Sequence, residues 1–182
     1  EWKENLPYRY VEIEHEEADD VIAKQCKDAQ GRKVKVGFFE QAEPILILSG
    51  DKDFLQLQKY KNVSQYSTMT RKFLRSDNPA RELKIKLMRG DPGDGIPNML
   101  SDDDAFVAPD KRQNQLRQKK IDELIGKEPE DFGDDRMLRN FKRNEALIDL
   151  SKIPDYIEES ILEVYQTPQV GKRSNLLTYF IQ

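Results

Sequence analysis

Four consecutive large aliphatic residues, Ile45 to Leu48, run directly into Ser-Gly-Asp-Lys-Asp at 49–53. This is the longest strongly apolar stretch in the chain. It suits a buried β-strand and falls far short of the ~20 residues that span a bilayer. Its abrupt end places Asp51 and Asp53 just past the carboxyl end of a strand, the position where open α/β sheets bind ligands. The surrounding pattern supplies more strands and the helices to cover them. Residues 8–14 alternate as a strand. From Glu17 the period becomes helical, with Ala18, Val21, Ile22, Cys26 and Ala29 on one stripe and Gly31 as the stop. Residues 33–39 read as a second short strand and 40–44 as a loop. Phe54, Leu55 and Leu57 suggest a short helix, and 63–75 a hairpin or edge pair.

Residues 80–89 form an amphipathic helix with Leu83, Leu87 and Met88 inward and Arg and Lys outward. GDPGDGIPN at 90–98 holds three Gly and two Pro in nine residues, which demands a tight loop. Residues 101–110 read as an acidic, mobile segment, with helices at about 111–125, 134–150, 154–166 and 172–181. The order implies an α/β sheet joined to a helical region.

Net charge is −4, which argues against a nucleic-acid partner, but the charge is segregated. Residues 1–20 carry eight acids against two bases. Residues 59–90 carry nine bases (Lys59, Lys61, Arg71, Lys72, Arg75, Arg81, Lys84, Lys86 and Arg89) against Asp77 and Glu82. Lys111, Arg112, Arg117, Lys119 and Lys120 follow with no acid among them. Such a chain can hold phosphate on a basic face and keep an acidic site for metal; two ordinary solvated faces would look the same.

Three acidic clusters stand out: Glu17, Asp19 and Asp20 at a helix start, Asp51 and Asp53 after the apolar strand, and Asp91 and Asp94 in the Gly-Pro loop. Each has an everyday explanation, as helix-dipole partners, strand-end polar residues or turn formers. Their convergence would be different: packed carboxylates raise one another's pKa until divalent cations relieve the repulsion. Two such ions about 3.5–4 Å apart can activate a water and stabilise the leaving oxygen of a phosphodiester.

EADD at 17–20, SGDKDF at 49–54 and GDPGDGIPN at 90–98 resemble the successive metal-site motifs of the 5′ nuclease (flap endonuclease) superfamily. RNEALIDLSKIPDYI at 143–157, with Gly171, Lys172, Arg173, Tyr179 and Phe180 beyond it, is similar to the T-even-type bacteriophage ribonuclease H branch. The resemblance covers most of residues 8–181. It implies a 5′→3′ exonuclease and flap endonuclease that removes RNA primers and adjoining DNA. It also implies a partial PIN-like parallel sheet, with residues 1–75 as the remainder of the catalytic domain and 76–182 as a helical DNA-binding region. Two Mg²⁺ or Mn²⁺ ions are implied, held by Glu17, Asp19, Asp20, Asp51, Asp53, Asp91 and Asp94, with Asp19, Asp51 and Asp53 carrying the chemistry. Lys84, Lys86, Arg89, Lys111, Arg112, Arg117, Lys119 and Lys120 would meet duplex, branched or RNA–DNA hybrid phosphates. A single-stranded-DNA-binding protein and a sliding clamp would be partners, and the cytoplasm of an infected host the setting.

The sequence departs from the family pattern in three places. An opening strand with its own Asp and a helical arch would precede EADD, where 16 residues stand, so the chain reads as a C-terminal portion. SDDDAFVAPD replaces the Gly-rich turn that binds backbone phosphate. The link between the first two acidic motifs is long, with a loop expected at 37–44.

Other residues carry quieter readings. His15 is an ordinary strand-end polar residue, and Cys26 belongs to the core. Trp2, Tyr8 and Tyr10 could stack on bases but read as partly packed. Without a second Cys, zinc and disulfides have no ligand set, and Ser49 lacks a His/Asp pattern for nucleophilic catalysis. Two rival functions stay open: a non-catalytic DNA-binding module, and an aspartyl-phosphate phosphatase with Asp51 as nucleophile and Asp53 as acid.

Overall fold

The computed structural model describes residues 2–168 and 171–181. Helix α1 (Trp2–Asn5) precedes α2 (Ala18–Asp28), and the hairpin β1 (Lys33–Val36) and β2 (Phe39–Ala42) follows. The apolar run is β3 (Ile45–Leu48). A 3-10 segment over Asp53–Lys59 leads to β4 (Val63–Ser67) and β5 (Lys72–Leu74). Beyond them lie α3 (Pro79–Arg89), α4 (Gln118–Leu124), α5 (Asp135–Ile148), α6 (Asp155–Gln166) and α7 (Asn175–Ile181). A second 3-10 turn, Pro129–Phe132, links α4 to α5.

The expected mixed α/β class holds, with a smaller parallel component than the pattern suggested. β3 and β4 pair in parallel, Ile45 opposite Val63 through Leu48 opposite Tyr66, while β5 joins antiparallel. The residues with helical and strand period pack into two apolar cores. Ala23, Cys26, Ile47, Phe54, Leu57 and Val63 form one, joining α2 to β3, β4 and the first 3-10 segment. Leu87, Met88, Met99, Ile121, Leu124, Phe132, Met137, Phe141 and Ile148 form the other, round α3, α4 and α5. No helix among the described residues is long and apolar enough to cross a membrane.

Four local expectations change. Residues 8–14 form no strand: no strand of the described residues lies against them, and Tyr8 is 66% exposed, so alternation without a neighbouring strand leaves only an irregular segment. The strand expected over 33–39 turns back at Gly37, which adopts a positive φ of 64°, so residues 40–42, read as loop, join Phe39 in the second arm of a hairpin. β3 is buried on one face only: Ile47 is 5% exposed, whereas Leu46 and Leu48 are open. The helix expected from 111 begins at Gln118, because the preceding polar stretch bonds to the loop before it; the Asn98 N–H donates to Gln113 Oε1 at 2.8 Å and the Asn114 N–H to Ser101 Oγ at 2.9 Å.

The acidic segment is also held in place. Asp102 pairs with Arg136 at 2.6 Å, Asp103 with Arg139 and Arg143, and Asp104 with Lys111 at 2.8 Å. α5 anchors the same region from beneath. Asn140 and Asn144 lie four apart on its buried face, so both point at the loop after α3. Asn140 Nδ2 donates to the carbonyls of Met99 and Ser101, and Asn144 Nδ2 to those of Leu87 (2.7 Å) and Pro97 (3.0 Å). An asparagine pair at helical spacing beside Met137 and Phe141 is the signal by which these anchors could have been found.

Candidate metal centre

Three local structures, each dictated by its own sequence, carry the acids to one place. At α2, Glu17 sits at the N-cap position but makes no capping hydrogen bond, so its carboxylate is not spent on the helix end; Asp19 and Asp20 occupy the first turn. After β3 the chain turns at Gly50. The Asp51 N–H donates to Ser49 Oγ at 3.1 Å, and Asp51 Oδ1 accepts the Asp53 N–H at 2.9 Å to start the 3-10 segment. After α3 the chain reverses at Gly90, whose φ is 69°. A Cβ there would lie 2.3 Å from the Ile96 carbonyl oxygen, so only glycine fits. Asp91 and Ile96 then exchange both backbone bonds at 2.8 Å, which sets Asp91 at the base and Asp94 in the tip of a short closed turn.

Glu17, Asp19, Asp20, Asp51, Asp53 and Asp94 line one cleft of about 860 Å³, together with Arg143 and the segment joining α5 to α6. A second cleft of about 640 Å³ on the α3 side is lined by Asp51, Asp53, Asp91 and Asp94 with Glu82 and Lys86. Asp51, Asp53 and Asp94 therefore form the ridge between the two. One carboxylate oxygen from each of Asp53, Asp91 and Asp94 lies within 4.8 Å of the others. Burial, and then the charges of Asp51, Asp53, Glu17 and Asp20, push the Asp19 carboxyl up to about 6. All seven acids singled out in the sequence thus border one connected region, and Asp53 is common to both halves of it.

Hard carboxylate oxygens at this spacing fit a divalent cation, and Asp19, raised first by burial and then by its acidic neighbours, carries repulsion that such a cation would relieve. The base of the site rests on Gln65, wholly buried on β4, whose Nε2 donates to the carbonyls of Ser49 (3.0 Å) and Asp51. Sequence reasoning passed over Gln65; its inward register between Val63 and Ser67 was the signal available. Gln56 gives a second tie, donating to the Ile148 carbonyl at 3.1 Å and accepting the Leu150 N–H at 2.9 Å.

The basic residues are distributed differently. Lys86, expected on the outer face of its helix, turns inward because the acids lie there: its ammonium bonds Asp53 and also Asp91, at 2.8 Å. Lys84 donates to the Lys127 carbonyl, and Arg89 to Gln118 Oε1 at 2.6 Å. Lys111 is tied to Asp104, and Lys120 to Glu123 at 3.3 Å, whereas Arg112, Arg117 and Lys119 are exposed. His15 and Tyr8 are exposed and lie outside the site; the side chain of Trp2 falls outside those described. Cys26 is wholly buried in the core, where burial pushes its thiol up to about 11.

A family model described as "T4 RNase H, C terminal" matches residues 78–182. The ribonuclease H of Enterobacteria phage T4 is 29% identical over 188 residues, which cover 100% of this chain and 59% of that protein. The chain therefore spans about three-fifths of the length of this curated relative. A solved T5 5′-exonuclease mutant superposes with a TM-score of 0.48 at 20% identity, over 85% of this chain and 68% of that one. The likeness to the T-even ribonuclease H branch, read from residues 143–157 and the tail, is borne out by these matches.

Proposed function

The chain belongs to the family described as T4 RNase H, C terminal, and from that premise we propose that it forms the metal-holding part of a structure-specific 5′→3′ exonuclease and flap endonuclease. The observation that carries this reading is the shared position of Asp53. It stands beside Asp19 and Asp51 on one side and, on the other, close enough to Asp91 and Asp94 for one oxygen of each to lie within 4.8 Å of the others. Glu17, Asp19, Asp20 and Asp51 would hold one divalent ion and Asp91 and Asp94 a second, with Asp53 between them. Ions held there supply Lewis-acid chemistry, lowering the pKa of a bound water and stabilising the leaving oxygen of a phosphodiester.

The chain's own residues position that chemistry. The turn at Gly50 and the closed loop at Gly90 fix the carboxylates on short backbone reversals, tied down by Gln65, Asn140 and Asn144. The clefts on either side of the acidic ridge leave the site open to an extended phosphodiester strand. Lys84, Arg89, Arg112, Arg117 and Lys119 would meet backbone phosphates of duplex or branched DNA or an RNA–DNA hybrid. A single-stranded-DNA-binding protein and a sliding clamp belong to the same reading as partners. A reading in which the acids only cap helices does not account for Glu17, whose side chain makes no capping bond.

The test is a calorimetric titration of this chain with Mg²⁺ and Mn²⁺, paired with cleavage of a 5′-flap duplex by the protein. Asp51→Asn and Asp53→Asn should each remove heat and cleavage while sparing DNA binding. Unchanged metal binding in the double variant would sink the assignment.

A further inference from the structure

α3 delivers one cation into the acidic region. The Lys86 side chain is only 26% exposed, and its ammonium bonds both Asp53 Oδ1 and Asp91 Oδ2. These are two of the three carboxylates that lie close enough to share one dication. The other oxygen of Asp91 is engaged too, accepting the Gly93 N–H at 3.0 Å. Burial works against the charge on Lys86, but its bonds to Asp53 and Asp91 outweigh that and hold it above the ordinary lysine value. The two halves of the centre therefore differ. Asp19 is surrounded by other acids, whereas Asp91 already has a counter-ion that pulls its carboxyl below the usual range.

We infer that Lys86 is a resident counter-ion that keeps the place of a divalent cation at Asp53, Asp91 and Asp94, and must swing out before that cation binds. This rests on the metal-centre reading above and adds to it a residue that sets the rank of the two ions. Lys86 and a dication drawn to the same two carboxylates repel one another, so an incoming dication displaces Lys86, and its affinity is lowered by the loss of the Lys86 bonds. Glu82 lies four residues earlier on α3 and lines the same cleft, so it is placed to receive the displaced ammonium. On the Asp19 side the charges that act on the carboxyl are acids, and the two cations lining that cleft, Arg143 and Lys152, are paired with Asp103 and Glu145 instead, so the ion there meets less competition.

The experiment is Mn²⁺ titration of the whole chain, followed by calorimetry and by the paramagnetic resonance of free Mn²⁺. Wild type is compared with Lys86→Gln and Lys86→Met, two neutral variants that keep the stem packed, and with the charge-keeping Lys86→Arg. Circular dichroism checks the fold of each first. Either neutral variant should tighten the weaker class of ion by about tenfold or more, or reveal a second ion absent from wild type, and shift the tighter class by less than about threefold. Lys86→Arg should leave the weaker class weak, and Glu82→Gln should weaken it further. If the neutral variants leave both classes unchanged or loosen them, while Asp51→Asn/Asp53→Asn still removes binding, Lys86 is no competitor and the metal centre stands without it. If wild type and neutral variants alike bind no Mn²⁺, both readings fall.

Discussion

The side chain of Gln65 donates to the carbonyl oxygen of Ser49 at 3.0 Å from a position on β4 with no solvent exposure. The same amide reaches the Asp51 carbonyl, so one buried group on β4 holds the backbone turn that carries two of the seven acids. That turn follows β3, which pairs with β4 in parallel, and the tie keeps the acids at the strand end.

Gln65→Leu preserves volume but leaves two carbonyls without their donor. Stability should fall by about 1–3 kcal/mol, read as a lower urea midpoint. Mn²⁺ affinity should fall with it, since the turn loses its fixed direction.

Asp19→Asn should separate stability from function. It removes the carboxylate that burial and four neighbouring acids push up to about 6. The ion-free variant should melt higher than wild type at neutral pH, while the rise in Tm on adding Mn²⁺ shrinks or vanishes. A lower ion-free Tm would mean that Asp19 stabilises the fold in some other way.

The junction of α2 and α6 should show an acid-sensitive contribution. Glu158, 13% exposed at its side chain, pairs with Lys24 at 3.3 Å and Lys27 at 2.5 Å. Burial alone would raise its pKa, yet Lys27 and Lys24 together hold it below its ordinary 4.5. The unfolded chain therefore takes up this proton first as the pH drops. The contribution is present above 4.5 and is lost as pH falls through the lower folded value. Glu158→Gln should be less stable than wild type at pH 7, with the gap in urea midpoints closing in acid. A gap independent of pH would assign the loss to packing.

Duplex binding should depend on α3. Lys84→Ala or Arg89→Ala should weaken binding to any sequence. Each should also reduce the slope of log affinity against log salt by roughly one for every phosphate that is no longer neutralised. An unchanged slope would show that this face of the helix turns away from DNA.

Much of the site could be read before any fold was known, because its parts are local. Pro79 at the first turn and Asn78 as a cap that accepts the Arg81 N–H at 3.0 Å start α3; Gly90 ends it. Ile45–Leu48 followed by Ser-Gly-Asp marks a strand end. Such signals act over a few residues, so they survive without knowledge of neighbours. The alternation over residues 8–14 failed for the converse reason: a strand needs a partner, and none is supplied to that segment among the described residues.

By itself the sequence determined which acids stand at turns and helix starts, and that they come in three groups. Only the tertiary structure decided that the groups meet, that Asp53 belongs to two of them, and that Lys86 turns inward. Helical period alone places Lys86 beside Lys84 and Arg89 as one more solvated base. Its direction is set by α3 packing against the 3-10 segment that begins at Asp53, which brings Lys86, beside Asp91 of its own loop, within bonding distance of a carboxylate 33 residues away in the chain. Electrostatic partners across such distances follow from packing, which periodicity and spacing do not encode.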